Sequence, residues 1–295
     1  MYTEYNNCKL CPRECKVNRN SGSKGFCGAT ANAEVNRIDL HYMEEPIISG
    51  SNGSGTVFFT HCTMNCLFCQ NFEISRRESK GKILSATELA AEYISLQEKG
   101  AHNINLVSPT HYMPTIVESI RIAKNNGIKI PFVYNTSGFE KAEIIEKLHG
   151  YIDIFLTDYK YYSPYLAKMY SNCEDYPDFI ISAIYKMLEI TGKAITDDKG
   201  IMQKGTIIRH LMLPGQLNDT LNILRNIQKC FGDKVLVSLM RQYTPVGTEL
   251  PDELGRTIND YEYQSAKEEF EELGLEGFIQ SSQAVGVDKT PKFNV

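Results

Sequence analysis

The chain has 295 residues, of which 42% are hydrophobic and 23% charged, and its formal net charge is −5. These values are typical of a globular protein with one large α/β domain, alone or with a small appendage. The acidic balance argues against a nucleic-acid partner held by a broad basic surface.

Neither a membrane span nor a signal peptide is visible in the sequence. No apolar stretch approaches the roughly 20 residues needed to cross a bilayer, and the first residues lack a basic segment followed by an apolar one. We therefore expect a cytoplasmic protein with no membrane partner. In a reducing cytosol, its nine cysteines are expected to bind metal more often than to form disulfides.

Residues 1–54 are rich in Gly, Asn and Ser and predict an irregular N-terminal extension, with the main domain over 55–295. Cys8, Cys11, Cys15 and Cys27 follow the pattern C-x2-C-x3-C-x11-C. Four thiolates can satisfy a structural zinc ion, which would fold a segment too small for its own core. They can also hold an auxiliary iron–sulfur cluster, or stay free or redox-active. The sequence leaves these alternatives open.

From about residue 55, short apolar runs alternate with helical patterns. Continuous apolar runs of this kind are typical of parallel strands that are covered on both faces. The predicted strands are 56–60, 103–107, 131–134, 152–157, 206–213, 235–239 and 277–280. This βαβα order predicts a parallel sheet, either open or closed into a partial barrel.

The helical segments between the strands have recognisable starts. Ser85 and Glu88 predict a capping box at the start of the first long helix. A longer helical insert is predicted over 163–192, and an amphipathic helix over 260–273. Residues 281–295 are predicted to form a tail or a covering segment.

Three cysteines, Cys62, Cys66 and Cys69, directly follow the first predicted strand. A four-iron cluster normally takes four thiolates, so three would leave one iron open to bind a small molecule. The spacing also suits three buried core cysteines on one helix face, or a zinc site completed by His61. The polar residues between the cysteines and the strand before them favour a loop that holds an iron–sulfur cluster.

Polar residues follow the ends of the other predicted strands. In a parallel sheet or barrel these ends face one mouth, where ligands bind. The groups in question are Ser108-Pro109-Thr110-His111, Asn135-Thr136-Ser137-Gly138, Asp158-Tyr159-Lys160, Arg209-His210 and Arg241-Gln242-Tyr243. We therefore expect them to form one binding site with the three cysteines.

The run from His61 to Asn71, HCTMNCLFCQN, resembles the signature of the radical S-adenosylmethionine (radical SAM) superfamily. Asp158-x-Lys160, together with the run over 209–215, is similar to the activating enzymes of glycyl-radical proteins. The resemblance implies a partial (β/α)6-type parallel barrel, a [4Fe–4S] cluster on Cys62, Cys66 and Cys69, and S-adenosyl-L-methionine on its open iron.

The same resemblance implies roles for the strand-end residues. Lys160 would neutralise the cofactor carboxylate, Asp158 and Thr136 would line its pocket, and His210 would meet the adenosine. Further candidates for binding the cofactor are Ser108, Thr110, Asn135 and Arg209.

Two positions depart from the family pattern. The family usually has Gly-Gly-Glu where this chain has Ser108-Pro109-Thr110, and an Asp where Asn135 stands. Both changes remove a negative charge, so the cofactor ammonium loses a charge-assisted contact. We therefore expect altered cofactor contacts, and the substrate stays open.

The resemblance implies an oxidoreductase. Because an exposed iron–sulfur cluster is sensitive to oxygen, we expect the protein to work under anaerobic conditions. A flavodoxin or ferredoxin would reduce the cluster, and the cleaved cofactor would yield a 5′-deoxyadenosyl radical that takes a hydrogen atom from the substrate. In the activating enzymes, the substrate is a glycine Cα–H of a partner protein, a glycyl-radical enzyme. The alternatives are a radical SAM enzyme that modifies a small molecule or peptide, and a non-catalytic zinc-binding protein.

Overall fold

A largely parallel sheet forms the centre of the protein, seen here in a computed structural model that describes residues 2–246, 250–280 and 293. The strands are β1 (Ala33–His41), β2 (Ser54–Phe59), β3 (Lys82–Leu84), β4 (Ile104–Val107), β5 (Phe132–Thr136), β6 (Ile154–Asp158), β7 (Ile195–Thr196), β8 (Met202–Leu211), β9 (Leu236–Met240) and β10 (Gly277–Ile279). The helices are α1 (Pro46–Ser49), α2 (Phe72–Ser75), α3 (Ala86–Glu98), α4 (Met113–Asn125), α5 (Ala142–Glu146), α6 (Pro164–Ser171), α7 (Tyr176–Thr191), α8 (Leu217–Phe231) and α9 (Asp260–Glu272).

The strands lie in the order β10-β9-β8-β6-β5-β4-β2-β1-β3. From β2 to β10 every neighbouring pair is parallel, whereas β1 is antiparallel to both β2 and β3. The short β7 pairs with β8 in antiparallel fashion. This order confirms the predicted α/β class, and each predicted strand overlaps an observed one.

The parallel strands are buried because helices cover them. Every residue of β2, β4 and β5 is buried, which is the reason why their sequences are continuous apolar runs. Helix α3 packs on the sheet through Leu89, Tyr93 and Leu96. Its predicted capping box is confirmed, since Ser85 N–H donates to Glu88 Oε2 at 2.8 Å and Glu88 N–H donates to Ser85 Oγ at 3.2 Å.

The N-terminal segment is more regular than the sequence predicts. The expectation of an irregular extension over 1–54 is wrong for β1, which pairs with β2 from Val35 to His41. The sequence of β1 mixes polar with apolar residues, because β1 lies beside the sheet edge and is only partly buried. For this reason the strand does not stand out as an apolar run. The boundary at residue 54 stays a prediction, and the sheet runs across it.

The chain end lies largely outside the described residues. The predicted tail over 281–295 therefore stays a prediction, except at Phe293, whose ring packs edge-to-face against Phe58 with centroids 5.5 Å apart. Within the described ranges, no helix is both long enough and apolar enough to cross a membrane.

Candidate active site

The loop after β2 brings Cys62, Cys66 and Cys69 to one cavity of about 320 Å³. His61 and Asn65 adopt left-handed backbone conformations, with φ of 70° and 59°, so the loop turns sharply and does not continue as a helix. The imidazole of His61 instead contacts the carbonyl oxygen of Arg76. The three thiols thus share a cavity without forming the single helix face of a buried apolar cluster.

Hydrogen-bond donors lie beside two of the three sulfur atoms. Met64 N–H donates to Cys62 Sγ at 3.4 Å, and the Ser75 hydroxyl donates to Cys69 Sγ at 3.4 Å. Burial raises the pKa of each thiol, and the Lys160 cation opposes this shift at all three. Three sulfur ligands, one buried and two partly buried, with donors and a cation beside them fit a [4Fe–4S] cluster that keeps one iron open.

The same cavity collects most of the polar residues that were predicted at the strand ends. Its wall includes Ser108, Asn135, Thr136, Asp158, Lys160 and Arg209. These residues follow or end β4, β5, β6 and β8, so the carboxyl ends of neighbouring parallel strands meet there. The structure therefore places the three cysteines and these six side chains around one volume.

Ion pairs fix the charged part of this wall. Asp158 Oδ1 lies 2.9 Å from Arg209 Nε, and Asp158 Oδ2 lies 2.6 Å from Lys160 Nζ. Burial alone would raise the pKa of Asp158, but the two cations together lower it below its ordinary value. Asp158 is therefore a carboxylate, and both cations point into the cavity with one shared partner.

Glu44 is a residue of this site that the motif analysis did not assign. Its Oε2 lies 3.1 Å from Arg209 Nη1, and its Oε1 accepts hydrogen bonds from Asn105 and Asn135 at 3.1 and 3.3 Å. It arrives from the segment between β1 and α1 and lines the cavity. The two adjacent acids in the run HYMEEP, Glu44 and Glu45, were the signal in the sequence.

Two predicted residues lie behind the cavity wall. The buried His210 contacts the Tyr159 carbonyl through Nδ1 at 2.8 Å and the Thr220 hydroxyl through Nε2 at 2.9 Å. Thr110 is also buried, and its hydroxyl donates to Glu140. In this structure neither side chain lines the cavity, so their predicted contacts with a cofactor stay predictions.

The backbone at Ser108 has an unusual conformation. Its φ is 57°, in the left-handed region that costs a non-glycine residue about 1 kcal/mol. Its N–H donates to the Asn135 carbonyl at 2.9 Å, which ties the end of β4 to β5. The turn that this conformation makes brings Ser108 to the cavity wall.

The N-terminal cysteines also come together. Cys8, Cys11, Cys15 and Cys27 line a second, small pocket, and all four thiols are free of disulfides. This pocket lies directly behind the Cys62 loop, since Thr63 is part of its wall.

Comparison with known proteins now places the chain in a family. The model of the radical SAM superfamily matches residues 56–227, which is more than half of the chain. The protein therefore belongs to the radical SAM superfamily. Over 283 residues it is 29% identical to an uncharacterized protein of Methanocaldococcus jannaschii, a match that covers 92% of this chain and 76% of that protein.

Solved structures share the fold. A radical SAM methyltransferase from Sphaerobacter thermophilus superposes with a TM-score of 0.52 at 14% identity, over 88% of this chain and 79% of the methyltransferase. SuiB from Streptococcus suis, solved with the precursor peptide SuiA, gives a TM-score of 0.50 at 15% identity, over 75% of this chain and 46% of SuiB. At these identities the similarity shows the fold alone.

Proposed function

We propose that the protein binds S-adenosylmethionine in the 320 Å³ cavity and cleaves it reductively to abstract hydrogen from a substrate. The observation that carries this proposal is the convergence of Cys62, Cys66 and Cys69 with Lys160 and Asp158 around one volume. A [4Fe–4S] cluster held by the three cysteines would supply the electron that breaks the S–C5′ bond of the cofactor.

The side chains of the wall suit the two charged ends of such a cofactor. Lys160 offers a cation to a carboxylate, and its contact with Asp158 holds it in place. Glu44 and Asp158 offer carboxylates to an ammonium. We infer that Glu44 replaces the acid that the family usually carries at the end of the second strand of the barrel.

Apolar side chains would keep water from the reacting atoms. Phe58, Val107, Leu211 and Met240 line the same cavity. The first two and Met240 are buried, and Leu211 is partly buried. A dry wall protects a reactive species from solvent and strengthens the electrostatic contacts beside it.

We further propose a glycyl-radical enzyme as the substrate, in which the abstracted hydrogen is a glycine Cα–H. The pattern Asp158-x-Lys160 supports this substrate class through its similarity to the activating enzymes. Exposed apolar side chains beside the cavity also favour a protein substrate, because such patches mark interaction sites. Met43, Leu67 and Phe72 are 53%, 41% and 41% exposed, and Met43 itself lines the cavity.

A small polar molecule is the second candidate substrate. The charged wall of Glu44, Asp158, Lys160 and Arg209 contains more acids and bases than one cofactor needs. Charged groups arranged in this way bind a polar substrate as readily as a cofactor end.

Anaerobic turnover tests the chemistry. Protein reconstituted with iron and sulfide and reduced with dithionite should form 5′-deoxyadenosine from S-adenosylmethionine. The Cys66→Ala variant should form none, whereas Cys230→Ala, which changes a cysteine outside both pockets, should match the wild type. Equal product from Cys66→Ala, or purified protein that holds zinc and no iron, would overturn the proposal.

Two further measurements address the partners. Incubation with candidate glycyl-radical enzymes should give the doublet of a glycyl radical in the EPR spectrum. Cofactor cleavage without any such doublet, together with turnover of a small molecule, would favour the second substrate class. Reduced flavodoxin or ferredoxin in place of dithionite tests the proposed electron donor.

A further inference from the structure

The four N-terminal cysteines form a sulfur-lined pocket that the proposed cleavage reaction does not use. Cys8, Cys11, Cys15 and Cys27 all contribute to its wall. At Gly25 the backbone passes close to Cys15, because an added Cβ atom would lie 2.8 Å from Cys15 Sγ. The segment is thus shaped around its sulfur atoms.

Each of these sulfur atoms accepts a hydrogen bond from nitrogen. Phe26 N–H donates to Cys15 Sγ at 3.2 Å, and Arg19 Nη1 lies 3.8 Å from Cys8 Sγ. The backbone N–H of Arg13 donates to Cys11, and the backbone N–H of Ala29 donates to Cys27. At the active site, the Met64 N–H and the Ser75 hydroxyl likewise donate to Cys62 and Cys69.

The N-terminal segment has other anchors, so a structural zinc ion is not needed to hold it. Tyr5 and Leu10 belong to the main hydrophobic core. The guanidinium of Arg19, 1% exposed, donates to the His111 carbonyl at 2.6 Å and lies 4.4 Å from the ring centroid of Tyr5. Arg13 donates to the Thr63 carbonyl at 3.1 Å. The segment therefore does not depend on a zinc ion in place of a core.

The pocket and the active site share one stretch of backbone. Cys62 and Met64 line the active-site cavity, whereas Thr63 between them lines the cysteine pocket. A redox-active group in the pocket would thus be separated from the Cys62 site by the backbone of one short loop.

We propose that Cys8, Cys11, Cys15 and Cys27 hold a second iron–sulfur cluster, which passes electrons to the active site across the Thr63 loop. One electron from reduced flavodoxin or ferredoxin reduces this cluster, and the same electron then leaves it for the active site. The cluster site itself is independent of the proposed cofactor cleavage, whereas the relay rests on it.

The cluster is tested in a variant that keeps the pocket intact. Cys62→Ala/Cys66→Ala/Cys69→Ala protein, reconstituted anaerobically, should retain about four iron and four sulfide per chain, and the wild type about eight of each. The retained cluster should accept one electron and give an EPR signal. A variant that holds one zinc, or one that holds neither metal, would overturn the proposal even if the wild type cleaves the cofactor.

The relay is tested in the complementary variant. Cys11→Ser/Cys15→Ser protein should keep about four iron, which shows that it folds and keeps the active-site cluster. Its cofactor cleavage driven by flavodoxin should fall by about tenfold or more relative to cleavage driven by dithionite. An equal fall with both reductants, or no fall with either, would overturn the relay. The iron content of the triple variant would then still show whether the second cluster exists.

Discussion

Asp158 and Arg209 are register partners on neighbouring parallel strands, and their side chains form an ion pair of 2.9 Å at the mouth of the sheet. Each side chain is 15% exposed. Because the backbones of β6 and β8 are hydrogen-bonded at this point, the pair is held by the sheet and not by a mobile loop. Arg209 in turn contacts Glu44, so the N-terminal part of the chain is tied to the strand ends.

Replacement of Asp158 should therefore affect both stability and activity. In Asp158→Asn, Lys160 and Arg209 lose their shared anionic partner, and the free energy of unfolding should fall by about 2 kcal/mol. Formation of 5′-deoxyadenosine should fall by about tenfold or more, because Lys160 is no longer held in place. Urea unfolding and anaerobic turnover measure the two effects.

The matched control is Asp233→Asn, which removes one partner of the exposed pair between Lys193 and Asp233. Solvent screens that pair, so neither stability nor turnover should change measurably. An Asp158→Asn variant that behaves like this control would contradict a structural role for the ion pairs.

Glu44→Gln should weaken binding of S-adenosylmethionine. The substitution keeps the size of the side chain and an acceptor for Asn105 and Asn135. It replaces the carboxylate that is offered to the cofactor ammonium and that also pairs with Arg209. The apparent KM for the cofactor should rise about tenfold, equivalent to about 1.4 kcal/mol. Initial rates at varied cofactor concentration measure this change.

Glu45→Gln is the control for that experiment. It makes the same substitution one residue along, in a side chain outside the cavity wall. Its KM should change less than that of Glu44→Gln. Equal KM increases in the two variants would show that only the overall charge near Arg209 matters.

The parts of this architecture that the sequence predicts are local. Parallel strands are visible because burial on both faces makes them continuous apolar runs, as in β4 and β5. The site residues at their carboxyl ends follow from the topology rule for parallel sheets. This rule brings Asn135, Asp158 and Arg209 together.

The features that the sequence did not predict depend on contacts between distant segments. Glu44 lies 165 positions from its partner Arg209 and outside any strand end. The adjacent acids Glu44 and Glu45 are a signal in the sequence, but they do not assign Glu44 to this site. Thr110 is turned away from the cavity by Glu140, 30 residues further along the chain. Strand β1 does not form a continuous apolar run in the sequence, because only one of its faces is well covered.

Ser108 offers a test of the backbone at the end of β4. Glycine adopts a positive φ without a steric cost, so Ser108→Gly should raise the free energy of unfolding by up to about 1 kcal/mol. Ser108→Val should lower it by about 1 kcal/mol or more, because β-branched residues fit this region poorly. Urea unfolding of the three proteins should rank them Gly, Ser, Val, and a reversed order would contradict the left-handed conformation.

Glu140 should make stability depend on pH. Burial is the main cause that raises the pKa of its carboxyl to about 7 from an ordinary 4.5, although the hydroxyls of Thr110 and Thr136 donate to it. The folded protein therefore keeps a proton that the unfolded chain loses between these two values. This group stabilises the fold fully below pH 4.5, and its contribution, about 3 kcal/mol, is lost as the pH rises to 7.

Glu140→Gln removes this titration and keeps a carbonyl acceptor for both hydroxyls. Its amide places an N–H group where Oε2 lies, and Oε2 accepts no hydrogen bond among the described residues. Burial of this unpaired N–H group costs the same free energy at every pH. The stability of Glu140→Gln relative to the wild type should therefore increase from pH 5 to 7 and stay constant above it. Glu118→Gln, at a partly exposed position paired with Arg121, should show a constant difference over the same range. A constant difference for Glu140→Gln as well would mean that Glu140 is already ionised in the folded protein at pH 5.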